Sequence, residues 1–293
     1  MKLKAIVRLL KETVAEWQKD KVPILAAALA YYTVFSLAPL LILVIAIAGF
    51  AIGQEAAQER LVGEVQNLIG AEGAASIQNL IQNSYQPKSG ILPSILAIAT
   101  LLFGATSAFA QLKEALNIIW HVEPQQQRGG IIGFILTRVF SFLMVLSIGI
   151  LLLLSLVLSA VLTGISNWLE HWLIIPAFVW QLGDLTISFG LVTLLFALIY
   201  RFLPDVKIAW SDVWIGSAIT SLLFTLGKGA IALYLGRSTV GSAYGAAGSF
   251  VIILLWVFYS AQILLFGAEF TQVWANLYGS RIRYSSRRRK NAR

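Results

Sequence analysis

From Val22 to Gly53 the chain runs 32 residues without an Asp, Glu, Lys or Arg. About 20 apolar residues are enough to cross a hydrocarbon core about 30 Å thick. At about 1.5 Å per residue, this run makes about 48 Å of helix. It is too long for one straight, upright span, and Pro39 offers the relief. Its ring removes one backbone N–H and leaves the carbonyl of Phe35 without its helical partner. A bend or break is therefore expected within two residues of Phe35 to Pro39. In hydrocarbon the freed carbonyl must find a neighbouring helix, a hydroxyl or a water, and Thr33 and Ser36 are close in sequence. Helical spacing brings Ala28, Tyr32, Ser36 and Pro39 near one face. That face is either a proline kink packed among small residues or a lateral path for a lipid or substrate.

The rest of the chain agrees with a membrane protein. Of its 293 residues 58% are hydrophobic and 12% charged, whereas soluble domains carry about 25% charged residues. The apolar runs are long and continuous, which favours helices. A membrane barrel would show segments of about 10 residues with alternating polarity. Residues 1–21 are too charged to begin a cleavable signal peptide. Cysteine is absent, so disulfide and thiolate chemistry are excluded.

Taken in order, residues 1–21 read as an amphipathic helix. Leu3, Ile6, Val7, Leu10, Val14 and Trp17 keep helical spacing among six basic residues. Such a helix lies on a membrane surface or caps the bundle. A domain of six spans follows over residues 22–278, with spans near 22–53, 91–110, 131–164, 185–203, 208–236 and 244–269. Residues 54–90 form an outer segment, expected as two short helices with a break near Gly70–Gly73. Residues 111–120 read as a linker helix. Residues 166–181, with Trp168, Trp172 and Trp180, read as an interfacial segment in an aromatic belt. Residues 279–293 form a basic tail, expected to be disordered.

Charge gives the orientation. With both termini inside, the inner segments hold ten basic residues from Lys2 to Lys207 and the seven of the tail. The outer loops hold only Arg60, Lys88 and Arg237. Positive residues collect on the cytoplasmic side, so six spans with cytoplasmic termini are expected. The fold class is all-α: a polytopic membrane protein with an N-terminal amphipathic helix.

Several stretches together resemble the YihY/BrkB family of bacterial inner-membrane proteins. They are Ala27-Ala28-Leu29-Ala30-Tyr31-Tyr32 through Ser36-Leu37-Ala38-Pro39-Leu40, Arg201-Phe202-Leu203-Pro204, and Tyr244-Gly245 through Leu255-Trp256 to Gly267-Ala268-Glu269. The match runs over about residues 10–278, in order. The resemblance implies an integral inner-membrane protein of about six spans. Some members carry the label "ribonuclease BN" and others "virulence factor", and the proposed roles involve the cell envelope and lipid movement.

A metal-dependent nuclease needs converging His, Asp or Glu ligands. The two histidines, His121 and His171, fall on opposite sides of the expected membrane, and no acidic cluster has ligand spacing. No enzyme, metal site or cofactor is expected, and no nucleic-acid partner. Membrane lipids are the expected partners, with anionic inner-leaflet headgroups at the basic tail; homo-oligomers are compatible with the sequence.

Charges inside spans are rare and usually face a cavity or a partner. Asp184 and Lys228 stand at equal height above the short turn joining the fourth and fifth spans, and Arg201 and Asp212 match near its base. Each level is expected to pair an acid with a base. Asp184 alone could instead cap its helix, and Lys228 alone could snorkel. Glu269 is expected to face the bundle, with Arg138 or Arg201 as its cation. Two functions fit: handling of an envelope amphiphile, lipid or small solute, or a non-transporting scaffold.

Overall fold

The computed structural model of the protein describes residues 3–84, 91–122, 177–237 and 248–280, together with Val139 and Leu143. Among the described residues every regular element is a helix. They are α1 Leu3–Lys19, α2 Val22–Ile52, α3 Gln54–Ser84, α4 Ile91–Ile119, α5 Ala177–Phe202, α6 Trp210–Arg237 and α7 Gly248–Leu277. Apart from Val139 and Leu143, the span expected over 131–164 lies outside the described residues, as do Arg138, most of the interfacial segment, residues 85–90 and 238–247, and the tail from Arg281.

Among the described residues two helices are long and apolar enough to cross a membrane, Trp210–Ile231 within α6 and Phe250–Leu277 within α7. A third candidate is α2, bent by 54° between Val22–Leu37 and Pro39–Phe50. The bend falls where Pro39 interrupts the ladder. One turn earlier, the Ser36 hydroxyl donates to the carbonyl of Tyr32 at 2.5 Å, a local bond of the kind that bends helices. The proline ring seats on Gly104 of α4: a Cβ there would stand 2.7 Å from Pro39 Cγ. Gly104→Ala should therefore cost about 1–3 kcal/mol, and much less in a Pro39→Ala background. Thermal unfolding of the two single variants and the double variant measures that coupling.

The helix after α2 corrects the expected break. α3 runs unbroken through Gly70 and Gly73. Each glycine costs about 1 kcal/mol relative to alanine in a helix, but packing overrides that cost. Ala57, Ala74, Ile77 and Ile81 of α3 are buried with Leu41 and Ile45 of α2 and Ile253 and Val257 of α7. The chain reverses from α2 into α3 at Gly53, whose φ of 86° suits glycine. Two further boundaries move. The linker helix expected over 111–120 is the last part of α4, and Trp180 lies in the first turn of α5.

The largest core cluster gathers Val22, Ala26 and Leu29 of α2, Phe109 to Ile119 of α4, Phe196 to Tyr200 of α5, and Leu265 to Ala275 of α7. It sits where α1 meets the start of α2 and the ends of α4, α5 and α7. α1 packs there through Leu9, beside Phe270 and Val273 of α7. Its other face, with Ile6, Val7, Leu10 and Val14, is exposed.

α6 and α7 are joined more closely than any sequence pattern suggested. Gly216 of α6 lies against Thr271 of α7, and Gly267 of α7 lies against Thr220 of α6 and the Tyr200 hydroxyl. Each threonine donates back to the carbonyl of the glycine in its own helix: Thr220 to Gly216 at 2.8 Å, and Thr271 to Gly267 at 2.6 Å. A glycine and a threonine four residues apart on each helix therefore interlock, and each hydroxyl is satisfied within its own helix. Small residues permit such close approach in membranes. Tyr200 joins the pair to α5 by donating to the Leu264 carbonyl at 2.7 Å and contacting Thr220 Oγ1 at 3.0 Å. Tyr200→Phe should cost only about 1 kcal/mol in thermal unfolding, because interhelical hydrogen bonds in membranes average about 0.6 kcal/mol.

Candidate ion site where helix ends meet

Of the charged residues singled out from the sequence, Arg201 and Asp212 take partners other than each other. Asp212 is buried in the first turn of α6, and Oδ2 accepts from the backbone N–H of Ser280 at 3.0 Å and from its hydroxyl at 2.6 Å. Its partner is the segment after α7, not Arg201. Arg201 Nη1 donates to the carbonyl of Ile208, and the guanidinium stands 5.7 Å from the centroid of the Trp210 ring. The turn between α5 and α6 brings that carbonyl and that ring within its reach, so local partners win over the acid. Lys228 is half-buried on α6; the side chain of Asp184 lies outside the described residues.

The expected α2 face also divides. Ser36 is buried, Pro39 packs on Gly104, and Tyr32 is exposed. Tyr32 belongs instead to an exposed aromatic group with Tyr31 and Phe35, in which the Tyr31 and Phe35 rings lie tilted at 50° with 4.7 Å between centroids.

Glu269 is wholly buried, two turns before the end of α7. Neither of its oxygens has a hydrogen-bond partner among the described residues. Arg201 is engaged elsewhere, so it is not the cation expected for Glu269, and Arg138 lies outside the described residues. The charges that act on Glu269 come from the end of α1 and the turn after it: Asp20, Glu16 and Lys19.

Those residues belong to a cluster that the sequence reading missed. Glu16 and Asp20 are one turn apart, and His121 reaches them from the end of α4. His121 Nε2 stands 3.4 Å from Asp20 Oδ2 and 4.0 Å from Glu16 Oε2. Lys19 Nζ holds Glu16 Oε2 at 2.6 Å. On the other side of the ring, Nδ1 is 3.4 Å from Nε2 of Gln272, one turn after Glu269. Burial pushes the Asp20 carboxyl above its ordinary range, against the opposing pull of His121 and Lys19.

The backbone explains how His121 gets there. α4 ends with the Val122 N–H on the Asn117 carbonyl and the His121 N–H on the Ile118 carbonyl, each at 2.9 Å. That is the double bond of a Schellman ending, which calls for a left-handed residue and usually takes glycine. Here His121 fills it at φ 48°. Lys21, next to Asp20, is left-handed as well, at φ 53°. Non-glycine residues held this way cost about 1–3 kcal/mol each and gather at functional sites. The same end of α4 is tied to the α5–α6 turn. Asp205 accepts from Asn117 Nδ2 at 3.0 Å, donates its backbone N–H to Asn117 Oδ1 at 2.8 Å, and pairs with Lys113 at 2.9 Å.

His121 and the two acids are about a hundred residues apart in sequence, so no spacing rule could join them. The structure nevertheless brings them together: one donor atom each from Glu16, Asp20 and His121 lies within 4.8 Å of the others.

Comparison with known proteins places the chain in a family. The family model described as Virulence factor BrkB matches residues 13–292. A UPF0761 membrane protein from Actinobacillus pleuropneumoniae is 27% identical over 277 residues, covering 92% of this chain and 94% of the relative. One from Photobacterium profundum is 26% identical, covering 86% and 76%. One from Verminephrobacter eiseniae is 28% identical, and the chain spans 59% of that longer protein. No solved structure matches. With nearly its whole length matched, this chain is a membrane protein belonging to the Virulence factor BrkB family.

Proposed function

We propose that this protein handles an amphiphile, lipid or small solute of the cell envelope. In this reading it crosses the bacterial inner membrane six times with both termini in the cytoplasm, works without enzymatic chemistry or cofactor, and meets anionic headgroups with its basic tail. Glu269 carries the reading. An ionisable side chain buried inside a membrane helix is expensive, and such groups mark substrate paths and proton relays. A structural acid is held by partners, as Asp212 is by Ser280. Glu269 has no hydrogen-bond partner among the described residues, which suits a group whose charge changes or is met by a ligand.

A scaffold is the second reading. The interlock of α6 and α7 favours it, because so close a contact resists opening. Reconstitution into liposomes with fluorescent phospholipids and entrapped small dyes separates the two. Flux should exceed that of protein-free liposomes, and Glu269→Gln should lower it at least about tenfold. If wild-type protein adds nothing to the leak of empty liposomes, the scaffold reading stands. The topology has its own check: a reporter fused after Arg293 should be active only in the cytoplasm.

A further inference from the structure

Glu16, Asp20 and His121 offer two carboxylates and an imidazole at one point on the surface of the bundle. A metal bound tetrahedrally at about 2.0–2.2 Å holds its ligands about 3.4 Å apart. His121 Nε2 and Asp20 Oδ2 already have that spacing, at 3.4 Å. Glu16 Oε2 is 4.0 Å from Nε2, and the three donor atoms lie within 4.8 Å of one another, so Glu16 must draw in by a side-chain rotation. Its present partner, Lys19, has a side chain 61% exposed and can swing into solvent.

A second observation points to a ligand independently. Glu269 is fully buried, neither of its oxygens is hydrogen-bonded among the described residues, and Asp20 and Glu16 are the acids whose charges act on it. Asp20 and Glu16 act on Glu269 as like charges and Lys19 as an opposite one, and a cation bound by the two acids offsets that repulsion. We propose that Glu16, Asp20 and His121 form a binding site for a divalent transition-metal cation, with Glu269 as the buried countercharge behind it. This site stands whether or not the protein moves a solute.

The chemistry narrows the ion. An imidazole selects zinc-like metals, whereas Mg2+ and Ca2+ prefer oxygen alone. A metal on Nε2 requires the imidazole proton on Nδ1, and a metal-bound histidine usually donates that proton to a neighbour. Gln272 faces Nδ1. Turning its amide over would present Oε1 as the acceptor. Gln272 is thus a positioning residue, and the left-handed backbone at His121 aims the ring into the site.

The test uses the full chain in detergent, stripped with EDTA and then titrated with Zn2+ alone, by thermal unfolding and calorimetry. Saturating Zn2+ should raise Tm by about 5 °C. His121→Gly folds safely, because glycine suits φ 48°, and it should abolish both the shift and the binding heat. Asp20→Asn should abolish them too, Gln272→Leu should weaken binding about 10–100-fold, and Lys19→Ala should tighten it. Mg2+ should produce no shift. Three outcomes would overturn the site: no response in the wild type, equal responses in the wild type and His121→Gly, or a Mg2+ response matching that of Zn2+.

Discussion

Gly267→Ala is expected to lower stability by at least about 3 kcal/mol, at the upper end of what overpacking a core costs, and to lower Tm by about 6–12 °C for a chain of this size. One added carbon does this because it has nowhere to go. A Cβ on Gly267 meets the Thr220 hydroxyl and the Tyr200 hydroxyl, and Thr220 Cβ at 2.9 Å. None of these can step aside. Thr220 is held by its bond to the Gly216 carbonyl, and Tyr200 by its bond to the Leu264 carbonyl. Relief requires separating α6 from α7, which also pulls Thr271 off Gly216. Gly216→Ala should therefore be as damaging as Gly267→Ala, from the opposite helix. The controls carry the same substitution with the opposite sign. A Cβ on Gly190 of α5 or Gly229 of α6 meets nothing within 4 Å among the described residues. There alanine should stabilise by about 0.5–1 kcal/mol, through lower chain entropy in the unfolded state. Thermal unfolding in detergent measures all four. If Gly267→Ala melts like Gly190→Ala, the helices are not interlocked.

What the sequence revealed, and what it hid, follows from the range of the interactions involved. The bend in α2 was legible because Pro39 acts on the helix it belongs to, through a bond lost one turn away. The reversal at the α5–α6 turn was legible for the same reason. The continuity of α3 was not: two glycines argue locally for a break, and the burial of Ala74, Ile77 and Ile81 that overrides them depends on α2 and α7. Pairing charges by height above a turn failed at Arg201 and Asp212. Height fixes where a side chain stands along the membrane normal, but not which way it points around its helix. Nearby backbone and ring partners then took Arg201, and Ser280 took Asp212. The ion site was the least legible. His121 looked like a loop residue because nothing in its neighbourhood names a partner, yet one signal was present. Val122 follows the apolar end of α4, and the position before it needs a left-handed residue that glycine does not fill.

Glu269→Leu is expected to raise Tm when the protein is unfolded in EDTA. The sign decides what the carboxylate is for. Where a buried acid is one half of an ion pair, removing it strands the other charge and costs about 3–5 kcal/mol. Where it has no partner, replacing it with an apolar side chain removes the penalty of burying a polar group, about 1–3 kcal/mol by mutational measures. The surroundings suit leucine: Leu265 and Ala268 are fully buried, and Phe270 and Val273 nearly so. Asp20 and Glu16 add repulsion that the substitution also removes, and Lys19 offsets only part of it because it is bonded to Glu16. The gain should be about 1–3 kcal/mol, or about 2–12 °C in Tm. Glu269→Gln, which keeps the shape and loses the charge, should fall between the wild type and Glu269→Leu. Both variants should lose flux in liposomes while gaining stability, as expected of a group kept for function at a cost to the fold. A loss of about 3 kcal/mol or more in both variants would mean that a cation does hold Glu269, and would return it to the role of a structural pin, with the scaffold reading strengthened.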